Sequence, residues 1–537
     1  MKNILKKFYF LLILVLISSV FLFLNLENRF LWGDEALLGF FGKTILNYGY
    51  PSNFDGKNVI YSDPDGKIPE VFNKPGSYVW RWQPWLMFYI MAFSINIFGS
   101  TTWSIRLFPA IFGLATVITM YFFTLKLTNN KTIANLATLL LVFFVPFYLY
   151  SRTGTYYSLS IFLSLIVLYS YLKLLNKERY SIIIFIISNI LLFYTTYFPF
   201  LSIYLGIILH YIIFHRKIGL GKPLIVSSLV IVIFTLPWYI YANLGSKMQI
   251  SLLSILFGFF YLFIYYSLYI FPIIFWIFIP TILFRKTNKK TIIQDKYFLL
   301  LFVIILGLCI INFAPYTLPQ FRYMIFLIPL SLILLAEIFL LIKKYNKYIF
   351  ALVLLIFIFT NIIYLFPMKL FEPILLNMVE KESPNYYFIK ENLRYRFYLI
   401  EYSNEITHEY ITPNQRIIDY LNANSNTGDV YLSNDLDTVA LFYTNLTKYR
   451  EDLNKSPDWI IPRRYNDYLD YNNDPGYQFV IKMINASIYE KVILNYTDYP
   501  YLLDEPLPRM HRFKYNEKNE ILHRFETYPI VIYHLKE

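Results

Sequence analysis

The stretch Pro84-Trp85-Leu86-Met87-Phe88-Tyr89-Ile90-Met91-Ala92-Phe93-Ser94-Ile95-Asn96-Ile97-Phe98 decides how this chain is threaded. As a helix its 15 residues reach about 22 Å, short of the roughly 30 Å of hydrocarbon that a span must cross. If it lies along the outer membrane surface and the N-terminus is cytoplasmic, the short basic connections all fall inside. These are Lys2/Lys6/Lys7, Lys126/Lys131, Lys173/Lys177/Arg179, Arg216/Lys217/Lys222, Arg285/Lys286/Lys289/Lys290/Lys296 and Lys343/Lys344/Lys347. If it spans instead, every later connection flips. The excess of Lys and Arg on cytoplasmic loops therefore selects the surface helix.

Outward from this stretch, apolar runs continue to residue 366 and stop. Eleven have the length of a span: 8–26, 104–125, 132–150, 157–175, 181–198, 199–214, 223–241, 266–284, 297–313, 323–342 and 348–366. Of the 537 residues, 57% are hydrophobic and only 15% charged, and the mean hydropathy is +0.46. A soluble domain carries roughly 25% charged residues, so a single soluble domain and a disordered chain are both excluded. The formal net charge of +13 would suggest nucleic acid on a soluble protein. Here residues 1–367 hold 29 basic against 10 acidic residues, and 19 of the basic ones lie on the expected cytoplasmic faces. The basicity sets topology and implies no nucleic-acid partner.

The expected fold class is a polytopic α-helical membrane protein of about 11 transmembrane helices, with a C-terminal soluble α/β domain. Residues 1–366 form the membrane domain, including a first external loop at 27–103, and 367–537 the external domain. The external region shows short apolar strands alternating with helical patterns over Asp429–Leu432, Asp435–Tyr443, Trp459–Pro462, Lys491–Leu494 and Ile530–His534. This is an integral plasma (inner) membrane protein in expectation, N-terminus inside and C-terminal domain on the outer, periplasmic side. One cysteine, Cys309, forbids an internal disulfide.

Acidic residues are scarce in the membrane part, and seven of its ten sit in the first external loop: Glu27, Asp34, Glu35, Asp55, Asp63, Asp65 and Glu70. Trp32-Gly33-Asp34-Glu35-Ala36 stands out, followed by a helical stretch to Asn47 and then Gly49-Tyr50-Pro51. Partial burial at a membrane surface lifts a carboxyl pKa toward the range useful for proton abstraction. The same two carboxylates also suit a plain helix cap. The second cluster is Trp80-Arg81-Trp82-Gln83-Pro84-Trp85, and five of the eight tryptophans lie in or beside this loop. Interfacial belts account for Trp at this level, and indole faces also stack on sugar rings. Arg106, Arg152 and Arg322 lie outside the cytoplasmic faces, where they either snorkel to lipid or clamp a phosphate. The six histidines show no tight ligand spacing, so no metal site is expected, and a divalent cation has no support. No Walker motif or dinucleotide loop is present, and no cofactor is identifiable.

The first span, the Trp-Gly-Asp-Glu-Ala motif and the Gly-Tyr-Pro turn resemble the start of the GT-C membrane glycosyltransferases. The closest resemblance is to the superfamily of protein O-mannosyltransferases and lipid A aminoarabinose transferases (glycosyltransferase family 39-like). Gln83-Pro84, Phe98-Gly99-Ser100 with Trp103 and Arg106, Ser151–Tyr157, and Leu318-Pro319-Gln320-Phe321-Arg322-Tyr323 also fit, in order, over about 1–345. The resemblance implies transfer of a sugar from a polyprenyl-phosphate carrier to a protein, lipid or polysaccharide acceptor outside the membrane. It puts the catalytic Asp on Asp34 with Glu35 as partner. Arg322, Arg152 and Arg81 are then the donor-phosphate candidates, and Trp32, Trp82, Gln83, Trp85, Tyr157 and Tyr323 the substrate contacts. Two departures matter: aminoarabinose transferases carry Lys where this chain has Gln83, and an Asp after the third span where it has Arg152, Tyr156 and Tyr157. Both argue against aminoarabinose and lipid A. The expected mechanism is a single inverting displacement with Asp34 as general base. The competing reading is a transporter or flippase of polyprenyl-linked lipids; such proteins usually show internal repeats, of which none is seen here, and mid-membrane charges, which are almost absent.

Overall fold

Backbone amides buried in hydrocarbon have no water to bind, so long apolar runs fold as helices that satisfy them internally. The computed structural model describes residues 2–60, 77–216, 221–247, 252–284, 292–313, 321–381, 386, 389–390, 392–408, 411–453, 455–463, 475–485, 487–498 and 528–536. Asp63, Asp65, Glu70, Lys217, Arg285, Lys286, Lys289, Lys290 and Leu318-Pro319-Gln320 lie outside the described residues.

Each of the eleven expected runs contains helix, and the chain is a polytopic helical membrane protein. Among the described residues, six helices are long and apolar enough to cross a membrane: Thr102–Thr128, Tyr157–Leu175, Tyr197–His215, Gly221–Tyr241, Asp295–Phe313 and Phe321–Tyr345. Two bent pairs raise the number to eight. The other three expected runs hold apolar helices whose described parts are shorter: Phe8–Phe23, which belongs to the 22-residue helix Lys2–Phe23, with Ser181–Phe193 and Lys347–Phe359. The bends have identifiable causes. Lys131–Val142 and Val145–Ser151 meet at 64° with Pro146 in the first turn of the second helix, and Ile255–Tyr269 and Ile273–Leu283 meet at 98° across Pro272. Proline has no N–H to continue the ladder and breaks the helix there. The run expected at 266–284 therefore straddles the break of a longer element, its first residues ending one limb and the rest forming the other. The division expected between 198 and 199 instead falls at Tyr194–Thr196, which lengthens the following helix to 19 residues.

The chain divides into two compact units. The first comprises Met1–Leu24, Pro109–Arg152 and Tyr156–Ser403. Phe321–Tyr345 is 83% buried in its most apolar window and forms the centre of this bundle, whereas Gly221–Tyr241 is 22% buried and faces outward along most of its length. Close packing needs small residues. A Cβ on Gly113 would lie 2.8 Å from the Ser151 side chain, and one on Gly206 2.7 Å from Val303.

The second unit comprises Asn25–Phe108, Thr153–Thr155 and Asn404–Glu537. The surface helix read from 84–98 is Leu86–Phe98, 13 residues long. It packs along Gly33–Tyr48, where Gly42 meets Ile95 and Ala92, and Phe41 meets Phe88 at 4.9 Å. The C-terminal part carries a five-stranded sheet of β1 (Val430–Ser433), β2 (Thr447–Lys448), β3 (Trp459–Ile461), β4 (Tyr489–Asp498) and β5 (Tyr528–Leu535), in the order β2-β1-β3-β5-β4. β1 runs parallel to β2 and β3, while β5 is antiparallel to β3 and β4. The small α/β part is as expected. Within it 437–443 is a helix, Asp437–Tyr443, and β2 was not foreseen because two residues carry no period.

That helix seats on Gly33–Tyr48. A Cβ on Gly39 would lie 2.5 Å from the Phe442 ring, and Lys43 Nζ donates to the Phe442 carbonyl at 2.7 Å. Replacing Gly39 by Leu should force the ring away and lower the unfolding midpoint, at a cost of about 1–3 kcal/mol. Thermal unfolding in detergent measures this; an unchanged midpoint would show that the two helices do not hold each other.

Candidate active site

Consecutive residues on an α-helix point about 100° apart, so Asp34 and Glu35 cannot share one direction. Both lie in the first turn of Gly33–Tyr48. Glu35 turns inward and is fully buried, whereas Asp34 stays half-buried at the positive end of the helix dipole.

The environment of Glu35 is a closed set of charge-assisted bonds. Arg106 Nε donates to Oε1 and Nη2 to Oε2, each at 2.8 Å, a bidentate pair. The Gly154 amide donates to Oε1 at 2.6 Å and the Trp32 amide to Oε2 at 3.1 Å. The last is half of a capping box: the residue three positions into the helix reaches back to the amide that starts it. Gly154 must lack a side chain, because a Cβ there would lie 2.3 Å from Ile105. Arg106 spends its other donors on main-chain oxygens: Nη1 on Leu26 at 3.0 Å and Arg29 at 3.1 Å, and Nη2 on Phe30 at 3.2 Å. A guanidinium has five N–H groups, and here they bind two carboxylate oxygens and three carbonyls. One arginine thus folds residues 26–30 around the start of the helix that carries Asp34.

The Asp437–Tyr443 helix completes this surface. The Tyr443 hydroxyl accepts from the Leu31 amide at 2.9 Å and bonds Thr102 Oγ1 at 2.6 Å, and its ring stacks on Phe30 at 4.1 Å. Burial pushes the Tyr443 phenol up to about 12, so it stays protonated and neutral. Thr438 Oγ1 donates to the Gly33 carbonyl at 3.2 Å, immediately before Asp34.

The tryptophan cluster divides by burial. Trp32 and Trp80 are buried, and Trp80 packs on Phe41 at 4.8 Å. Trp85 Nε1 donates to the Trp80 carbonyl at 2.9 Å, fixing the turn into Leu86–Phe98. Arg81, Trp82, Gln83 and Trp85 are half-buried. These residues belong to the unit that holds Asp34. Arg152, Tyr157, Arg322 and Tyr323 belong to the other. There Arg152 Nη1 donates to the carbonyls of Phe21 at 2.9 Å and Leu22 at 3.2 Å, satisfying the end of the Lys2–Phe23 helix. Tyr157 is buried edge-on against Tyr150 at 5.2 Å, a packing role. Arg322 lies over the Tyr323 ring at 5.6 Å, and both residues are half-buried.

The sequence reading singled out Arg106 without its partner, because the 71 residues that separate it from Glu35 leave no spacing signal. It missed Gly154 and Tyr443 as parts of this surface. The glycine lay inside the Ser151–Tyr157 segment and the tyrosine at the end of Asp435–Tyr443, but neither was tied to the Asp34 motif.

Residues 82–241 match the family model described as dolichyl-phosphate-mannose-protein mannosyltransferase. This bears out the superfamily resemblance over the segment holding Gln83-Pro84, Phe98-Gly99-Ser100, Arg106 and Ser151–Tyr157. No curated protein matches the chain in sequence. Among solved structures the chain is similar to ArnT from Cupriavidus metallidurans bound to undecaprenyl phosphate. That pair is 13% identical, covers 81% of this chain and 75% of that one, and has a TM-score of 0.48. It is also similar to the Archaeoglobus fulgidus oligosaccharyltransferase tethered with an acceptor peptide (14% identity, 91% and 69% covered, TM-score 0.48). A third is the arabinosyltransferase EmbB from Mycobacterium smegmatis (13%, 62% and 30%, 0.41).

Replacing Glu35 by Ala should leave the Arg106 charge buried without its carboxylate and cost about 3–5 kcal/mol. The conservative Asp34→Asn, which keeps the shape of a half-buried side chain, should cost less than Glu35→Ala. Thermal unfolding of the two variants side by side tests the division of labour between the carboxylates. A second expectation concerns Lys43, which burial holds down at about 8 against an ordinary 10.5, with Asp55 opposing. Between these values the unfolded chain binds more protons than the folded one, so stability rises with pH across 8 to 10.5. Lys43→Met should flatten that slope in unfolding midpoints measured across the same range.

Proposed function

We propose that this chain is a glycosyltransferase that moves a sugar from a polyprenyl-phosphate-linked donor to an acceptor on the outer side of the membrane, with inversion. The observation that carries the reading is the unequal burial of two adjacent carboxylates. Glu35 is consumed by Arg106 and two amides, and its burial and four bonds leave it no part in proton transfer. Asp34, one residue earlier in the first turn of the same helix, is half-buried rather than enclosed. The family match over 82–241 supports the same chemistry.

In the reaction the acceptor heteroatom attacks the anomeric carbon as the bond from that carbon to the phosphate oxygen breaks. One displacement inverts the centre. Asp34 takes the acceptor's proton, and the polyprenyl phosphate leaves as a stabilised anion that requires no general acid. Arg81, Arg152 and Arg322 keep the roles that the resemblance implies, offsetting charge on the phosphate. Of these, Arg152 is already partly engaged in closing a helix end, which makes Arg322 and Arg81 the stronger candidates. Trp82, Gln83, Trp85 and Tyr323 are half-buried, a setting that suits contact with a sugar or headgroup. A donor anchored in lipid arrives already activated, in the plane of the bilayer, so the chain needs no nucleotide-binding loop.

Asp34→Asn should abolish transfer from a polyprenyl-phosphate sugar while the protein still inserts and elutes as the parent does. Retained turnover would overturn Asp34 as the base. Arg322→Ala should raise the KM for the donor more than it lowers kcat.

A further inference from the structure

We propose that His210, His215 and Asp295 form a binding site for a divalent transition-metal ion of the zinc type. It ties together the ends of the Tyr197–His215 and Asp295–Phe313 helices. Both helices belong to the first unit, and nothing in the proposed transfer reaction uses these residues.

The backbone brings the two histidines together. In a regular α-helix residues five apart point about 140° from each other. Tyr211–His215 is instead a π turn, whose i→i+5 bonding carries the sixth residue back over the first. The rings of His210 and His215 consequently lie 4.9 Å apart between centroids. Single π turns inside α-helices concentrate at functional sites because they give up regular bonding for side-chain placement.

All three side chains are buried, and one ligand atom from each lies within 4.8 Å of the others. His215 Nε2 stands 3.1 Å from Asp295 Oδ2, close to the edge of about 3.3 Å expected between two ligands of a tetrahedral zinc. Yet among the described residues neither nitrogen of His215 has a hydrogen-bond partner, and Asp295 Oδ1 has none either. Burying polar atoms unpaired costs free energy that a bound cation would recover. His210 has a matching outer contact: its Nδ1 lies 2.9 Å from the Tyr171 hydroxyl, the kind of oxygen partner that fixes a ligating imidazole through its other nitrogen. Its Nε2 faces the main-chain oxygen of Asp295 at 2.9 Å and turns to the ion on loading. Two imidazoles and one carboxylate are borderline donors, which select zinc over magnesium or calcium, and a water takes the fourth position.

The test uses the full chain in detergent, purified without a polyhistidine tag, stripped by chelator, reloaded with zinc and cleared of excess by gel filtration. Mass spectrometry should find about one zinc per chain, with a raised unfolding midpoint. His215→Ala and Asp295→Asn should each lower the bound zinc at least tenfold. Cobalt loaded into the unaltered chain gives a reading that does not depend on the variants folding. Intense visible bands of a tetrahedral site, discharged by zinc, support the site. Weak octahedral bands, sub-stoichiometric zinc in the parent chain, or full zinc retention in both variants would each overturn it.

Discussion

The bidentate pair between Glu35 and Arg106 is the interaction on which the rest of the surface around Asp34 depends. A carboxylate taken wholly out of water is tolerated only when its lone pairs are met, and here four donors meet them. The pair does more than neutralise itself. Because the guanidinium also gathers three carbonyls from residues 26–30, it converts an irregular connection into a fixed ring around the start of the Gly33–Tyr48 helix. Asp34 inherits its position from this ring. In the proposed reaction the neighbour of the base contributes geometry rather than protons, which explains why two adjacent acids occur where one would perform the chemistry.

The helical membrane class was legible because hydropathy is read one residue at a time and needs no partner. The span edges were less so. Broken elements such as Ile255–Tyr269 with Ile273–Leu283 have uniform hydropathy across the break, and only Pro272 marks it. The candidate site was half legible. Trp32-Gly33-Asp34-Glu35 is a local motif, and its placement after the first span drew attention to it. Separating the duties of Asp34 and Glu35 required knowing where Arg106, Gly154 and Tyr443 come to lie, and those contacts span 71, 119 and 412 residues. His210 and His215 escaped notice for a different reason. A five-residue interval is a poor ligand spacing on an α-helix and a good one only where a π turn intervenes.

Charge economy shapes both units. Ion pairs recur in both units: Lys126 with Glu178 in the first and Arg463 with Asp498 in the second. The sheet of the second unit shows the same in its interior. Arg463 and Asp498 are both buried, at 2.8 Å, and Asn414 takes a further guanidinium donor. Such pairs add little net stability compared with an apolar filling, but they penalise every arrangement that separates them. Specificity of the fold, more than its depth, is what these residues supply.

The seating of Asp437–Tyr443 on Gly33–Tyr48 has a temporal side. Lys43 and Phe442 are 399 residues apart, so during synthesis the first helix emerges long before the segment that clamps it. The helix that carries Asp34 keeps its Gly39 face uncovered until residues 437–443 have been made. The surface around the proposed base is thus finished late, by a segment far along the chain. In the proposed reaction, a polypeptide still lacking that segment would hold its base on an unfinished surface.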